Sequence, residues 1–231
     1  MLILTANEAR VLGVLVEKAQ TTPEQYPLTL NAATNGANQK NNRDPVMNLS
    51  DDDVLDALNA LRDKKLVVRV DLAGSRVPKY RHSATDGLGI TMRELIILAE
   101  LLLRGPQTVG ELRGRASRMH PLESMEMVTS VLQTLMTRPE PLVRELPPSP
   151  GSRAQRYVQL LSPDAHPTEL TASTAIPAGP IATPSLHAPL ADRVTQLEHE
   201  VATLRDALRR LAASVGEPDP LNVTAPPSAG T

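Results

Sequence analysis

Apolar residues recur three and four positions apart through Ala9, Leu12, Leu15, Val16 and Ala19, the period of an amphipathic helix. The helix opens on Thr5, with Glu8 three residues on to complete a capping box and Leu4 placed to staple onto Ala9. A shorter helix is predicted near residues 29–35. A third begins at Ser50, a strong cap, and Asp51, Asp52 and Asp53 in its first turn suit the helix dipole. Val54, Leu55, Leu58 and Leu61 form its inward face. Residues 36–49 between these helices are polar and turn-forming. The pattern then shifts to β-branched and apolar residues at 66–72, and a hairpin is predicted over 66–82. Within it Tyr80 and His82 share one face, Lys79 and Arg81 the other.

The same order returns. Gly74-Ser75-Arg76-Val77-Pro78-Lys79-Tyr80 reappears 77 residues later as Gly151-Ser152-Arg153-Ala154-Gln155-Arg156-Tyr157, with four positions identical. Thr91 and Glu94 repeat the capping box ahead of Leu95, Leu98, Leu101 and Leu102, and Gly105-Pro106 ends that helix. Further helices are predicted over 108–116 and 121–137, the latter with Met125, Val128, Leu132 and Leu135 inward, followed by a hairpin over 142–160. Ser83–Gly89 reads as a flexible linker. Such duplication has to be found before a fold is assigned. The fold class read from it is mainly α with small β-hairpins: two tandem winged-helix domains, residues 1–84 and 85–163.

Beyond residue 163 the pattern changes twice. Residues 164–189 are rich in Pro, Ala, Ser and Thr, a tether without a core. Leu190, Val194, Leu197, Val201, Leu204, Leu208, Leu211 and Val215 then alternate four and three apart. That is a heptad seam over residues 190–216. Three of its four a positions are Val and all its d positions Leu, which favours a parallel two-stranded coil, hence a homodimer. Folding of this helix back onto the rest of the chain is the plainer alternative. Residues 217–231 read as a disordered tail.

Composition narrows the function. The chain has 231 residues, no Cys, Trp or Phe, and a formal net charge of −2, so any anion binding must come from local patches. Absence of Cys excludes disulfides and thiolate metal sites and fits a reducing, cytoplasmic setting. The N-terminal apolar run is too short for a signal peptide, and no stretch approaches a membrane span. The five His show no metal-ligand spacing, and no nucleophile elbow, Walker loop or dinucleotide fingerprint is present. The expectation is a non-enzyme without cofactor or metal.

Several strings resemble the YceH family of uncharacterised bacterial proteins. The most specific is Asn38-Gln39-Lys40-Asn41-Asn42-Arg43-Asp44-Pro45-Val46-Met47, similar to that family's signature. Thr21-Thr22-Pro23-Glu24-Gln25-Tyr26-Pro27, Leu103-Arg104-Gly105-Pro106-Gln107-Thr108 and Gly110-Glu111-Leu112-Arg113 support it. The resemblance covers about residues 3–161. It implies tandem winged helices and a cytosolic bacterial setting, and no activity. The heptad tail lies outside it.

Winged helices point first to DNA, through the third helix in the groove and the wing on the backbone. Here Asp51, Asp52, Asp53 and Asp56 crowd the start of the first unit's third helix, and Glu123 and Glu126 that of the second. Carboxylates there repel phosphates, so neither helix reads as a groove reader. The cations lie elsewhere: Lys64, Lys65, Arg69, Arg76, Lys79 and Arg81 around the first hairpin, Arg113, Arg115 and Arg118 at a corner of the second unit, and Arg153 and Arg156 on its wing. These are the candidate nucleic-acid contacts, weighed against ordinary solvated charge. On the second wing Val158 stands where the first has the outward Arg81. Tyr80 and Tyr157 are read as core rather than base-stacking groups. In the signature loop, Asn38, Gln39, Lys40, Asn42, Arg43, Asp44 and Pro45 could bind a ligand or satisfy the loop's own backbone, with Arg43 and Asp44 a possible structural pair. The leading reading is a dimeric winged-helix DNA-binding or regulatory protein. The rival is a protein-interaction scaffold using the acidic third helices.

Overall fold

The computed structural model describes residues 2–71, 77–148, 151–166 and Arg205. The first module runs α1 (Ala6–Thr21), β1 (Leu28–Thr29), α2 (Leu30–Ala37), α3 (Asp51–Asp63), β2 (Val67–Val70) and β3 (Lys79–His82). After α4 (Ala84–Leu88) the second repeats it: α5 (Met92–Arg104), β4 (Gln107–Thr108), α6 (Val109–Ala116), α7 (Met125–Thr137), β5 (Val143–Leu146) and β6 (Arg156–Gln159). The molecule is thus mainly helical with small antiparallel sheets.

Local chemistry sets most boundaries. Thr5, Ser50, Thr91 and Thr108 each cap a helix, and the acid three residues on reaches back to complete a capping box; a cap of this kind contributes about 0.5–2 kcal/mol. α7 starts later than the pattern implied, because Ser124 supplies the cap for the amide of Met127. Met125, expected inward, is consequently in the first turn and exposed, whereas Val128, Leu132 and Leu135 are buried.

Each hairpin gains a third strand that the sequence did not disclose. Two-residue strands β1 and β4 pair with β3 and β6, giving sheet orders β1-β3-β2 and β4-β6-β5. Leu28 faces Tyr80 in one and Gln107 faces Tyr157 in the other, so the repeated tyrosines hold equivalent register. Both rings are buried, as their strand parity required. Val158, expected outward, is buried as well, because residues 160–166 turn back beside it and Arg144. The stretch 83–89 is not an open linker: it forms α4, with Ala84 fully buried and Gly89 closing the helix at φ 61°.

The largest departure from the amphipathic expectation is in α1 and α5. Residues 8–17 and 94–103 are buried without a break, the signature of a helix covered on all sides. Each packs within its own module, as when Val14 of α1 fills the space beside Gly36 of α2, and also against the other helix, as when Leu103 of α5 stands over Gly13. The two helices come close at Gly13, where a Cβ would lie 2.8 Å from Leu103 Cγ. One continuous aliphatic core therefore runs through both modules. The Leu4 amide also donates to the Leu161 carbonyl, at 2.6 Å, tying the first residues to the end of the second module.

Candidate functional site

The signature loop folds onto the seam between α1 and α5. Asn38, at the end of α2, clasps the loop's far end: its side-chain oxygen accepts from the Leu49 amide at 2.7 Å and its NH2 donates to the Leu49 carbonyl at 2.8 Å. The Asp44 amide donates to the Leu103 carbonyl, and Arg10, buried within α1, donates to the carbonyls of Ala37 and Pro45. Burial and the nearby Arg43 charge lower the Arg10 pKa to about 10. His166 closes the loop from the second module, with Nε2 2.6 Å from the Asp44 carbonyl oxygen. Its ring packs where a side chain at Gly105, held at φ 72°, would stand.

Arg43 is the hub. Its guanidinium is fully buried and forks onto Glu17 of α1, with Nη2 2.5 Å from Oε2 and Nη1 3.2 Å from Oε1. Nε donates to the Gly36 carbonyl and Nη2 to Gln39 Oε1. The expected partner Asp44 makes no such pair and is exposed, because the turn at Asn42 (φ 61°) sends Arg43 inward. Glu17 also accepts from Arg118, which follows α6 and donates in turn to Glu100 Oε2 at 2.9 Å. Arg104 lies 3.3 Å from Glu100 Oε1 and also reaches the Asn42 side chain. Two buried acids and three arginines from both modules thus form one network.

Electrostatics follow from this packing. Burial would raise the Glu17 pKa, but hydrogen bonds and charge from Arg43 and Arg118 outweigh it and hold the carboxyl below its ordinary value. Arg118 is likewise drawn down by burial and up by Glu17 and Glu100, with a net rise. The Arg104 pKa falls, by burial and by the charges of Arg115, Arg118 and Arg43, against the opposing pull of Glu100. Beside the network opens a polar cleft of about 500 Å3, lined by the end of α1, the signature loop and Arg118.

The candidate nucleic-acid residues do not form one surface. Lys64 is bound to Glu8 at 2.5 Å, and Arg113 donates to the carbonyls of Leu122 and Glu123. Arg115 bonds Gln107 and Glu111, and Arg118 belongs to the network. On the first hairpin Arg69 pairs with exposed Asp71, Lys65 and Arg81 are exposed, and Lys79 is half-buried. Arg153 is exposed and Arg156 half-buried on the second. Arg76 and the seam residues Leu190, Val194, Leu197, Val201, Leu204, Leu208, Leu211 and Val215 lie outside the described residues. In the loop, Lys40, Asn42, Asp44 and Pro45 are exposed and Asn38 and Gln39 half-buried. Among the described residues no group of three or more His, Asp or Glu could hold a metal ion, and no helix is long and apolar enough to cross a membrane.

Glu17, Glu100 and Arg104 were not singled out from the sequence. Glu100 carried a readable signal: it is the one charged residue in the run 95–103, and a buried acid needs a partner.

The family model described as "Protein of unknown function, DUF480" matches residues 4–152. A "UPF0502 protein" of Geotalea daltonii is 53% identical over 159 residues, covering 69% of this chain and 72% of its own length. A second, from Shewanella sp. (strain ANA-3), is 44% identical over 216 residues, 92% of this chain and 99% of its own. A third, from Koribacter versatilis, is 54% identical over 162 residues, 70% of this chain and 75% of its own. The chain thus falls in a family of uncharacterised bacterial proteins, as its strings implied.

Proposed function

The chain belongs to the DUF480 family, whose members above are UPF0502 proteins of bacteria, and from that premise we propose that it is a tandem winged-helix protein that docks a protein partner through α3. The order helix, short strand, helix, helix, hairpin in each module supports the winged-helix plan, with the hairpins as wings. One observation carries the docking reading. At about 100° per residue, Asp52, Asp56, Asn59 and Asp63 fall on one line of α3, and all four are exposed. Asp51 and Asp53 are used locally, by Thr34 and Ser50, whereas Asp52 and Asp56 make no bond within the described residues. A line of carboxylates repels a phosphate backbone and suits a Lys- or Arg-rich protein surface.

The test is affinity capture from nuclease-treated bacterial lysate with the full chain and with D52N/D56N. A stoichiometric partner held by the first and lost by the second supports the reading; equal capture by both, or none, removes it.

A second reading is backbone contact with DNA through the first wing, favoured by exposed Lys65 and Arg81. It carries no sequence reading. Fluorescence anisotropy on mixed DNA fragments at low salt tests it, with K65E/R81E as the control: absence of salt-sensitive binding, or binding unchanged in the variant, ends it. Both readings place the protein in the cytoplasm as a non-catalytic homodimer joined by its heptad tail.

A further inference from the structure

We propose that the cleft between the signature loop and Arg118 is a binding site for a small phosphorylated polyol or sugar. The argument rests on which hydrogen-bonding groups the fold has already used. Gln39 Oε1 accepts from Arg43 and Asn42 Oδ1 accepts from Arg104. Their oxygens are therefore occupied, and what these amides leave for the cleft is N–H. Lys40 is exposed and makes no bond within the described residues, and the Lys18 ammonium is 3.9 Å from its nearest carboxylate oxygen. Arg118 adds a partly exposed guanidinium from the second module.

Among the described residues Glu17 is the only acid lining the cleft, and its Oε1 is taken by Arg43 and Arg118 and its Oε2 by Arg43. Behind the wall, Glu17 and Glu100 face Arg43, Arg104 and Arg118, leaving one cation in excess before Lys18 and Lys40 are added. A surface with spare donors and spare positive charge calls for a ligand of acceptors carrying negative charge, and a phosphoryl group meets both needs.

The rest of the lining selects what the phosphate is attached to. The Thr21 and Thr22 hydroxyls donate to the carbonyls of Glu17 and Lys18, so their oxygens remain as acceptors for hydroxyl groups. Among the described residues no aromatic or large apolar side chain lines the cleft, which leaves nothing there for a nucleobase to stack on. A volume of about 500 Å3 exceeds what a bare phosphate fills. Because the donors come from both modules, the ligand would bridge them at their junction.

The experiment is isothermal titration of the full chain with glucose 6-phosphate, ribose 5-phosphate and glycerol 3-phosphate, each beside inorganic phosphate and glucose at equal ionic strength. Saturable binding of at least one phosphate ester, tighter than that of phosphate or glucose alone, is expected. It should weaken by about tenfold in K40Q, the loss of one charge-assisted contact. Lys40 is exposed and outside the buried network, so this variant keeps the fold; R118Q gives a second reading with thermal melting as its control. No saturable binding by any ester, or the same affinity in K40Q, overturns the proposal. Phosphate binding as tightly as every ester overturns the polyol part.

Discussion

Leu103 of α5 fills the space that a side chain at Gly13 of α1 would need. The two residues bring the first helices of the modules into close contact. Adding an isopropyl group in G13V forces its Cβ and two methyls into a packed aliphatic wall, which typically costs about 1–3 kcal/mol. Leu103→Ala alone is expected to cost about 2–5 kcal/mol, as for other buried leucines. If the contact is as described, the double variant loses less than the sum of the two, by at least about 0.5 kcal/mol. Urea titration of the four chains measures this; additive costs would mean that the helices do not meet at Gly13.

The ion pairs should divide sharply by burial. E17Q keeps the side-chain shape but leaves Arg43 facing a neutral amide in a site where Glu17 is 2% exposed. Removing one partner of such a pair costs on the order of 3 kcal/mol. Arg69→Ala breaks a pair whose members are 45% and 68% exposed, and its effect is expected within about 0.5 kcal/mol of zero. Denaturant midpoints of both variants check this. Equal effects would place Glu17 in solvent.

How much of this was legible in the chain varies with the range of the interaction. Thr5, Ser50 and Thr91 announced their helices because a cap and its box partner sit three residues apart. Strand alternation placed Tyr80 and Tyr157 inward for the same local reason. What escaped depends on residues far apart in sequence: α1 and α5 bury a second face only because they meet each other, and Val158 is covered only because 160–166 return beside it. The signature loop's structural role could be read from its Asn and Asp content, but not that Arg43 selects Glu17 over its neighbour Asp44. That choice comes from the turn at Asn42, and the partnership with Arg118 spans 101 positions.

Stability is expected to fall with acid in two stages. Burial lowers the pKa of both His82 and His166 below 6.5. The folded state therefore binds fewer protons than the unfolded one in this range, and stability present above pH 6.5 is lost as pH falls through it. The Glu17 pKa lies below the ordinary 4.5. Its contribution is present above that value and disappears as pH falls through the folded pKa. The unfolding free energy should thus decline first below neutrality and again below pH 4.5. H82Q/H166Q should flatten the first decline and E17Q the second, as followed by urea titration across pH. A slope in E17Q identical to wild type below pH 4.5 would show that Glu17 does not carry the acid response.

The seam at residues 190–216 makes its own prediction. Its a positions are Val194, Val201, Leu208 and Val215, and all d positions are Leu, a choice that favours two parallel strands. In that register Arg193 faces Glu198 and Glu200 faces Arg205 across the pair, so the flanking charges attract. A helix lying on its own module would need a broader apolar face than this strict 3.5-residue repeat supplies. The full chain is expected to be a dimer by light scattering, and deletion of residues 190–231 a monomer. L197E/L204E, which puts charge into the seam without shortening the chain, should have the same effect. If both altered chains remain dimeric, the copies meet through the modules themselves.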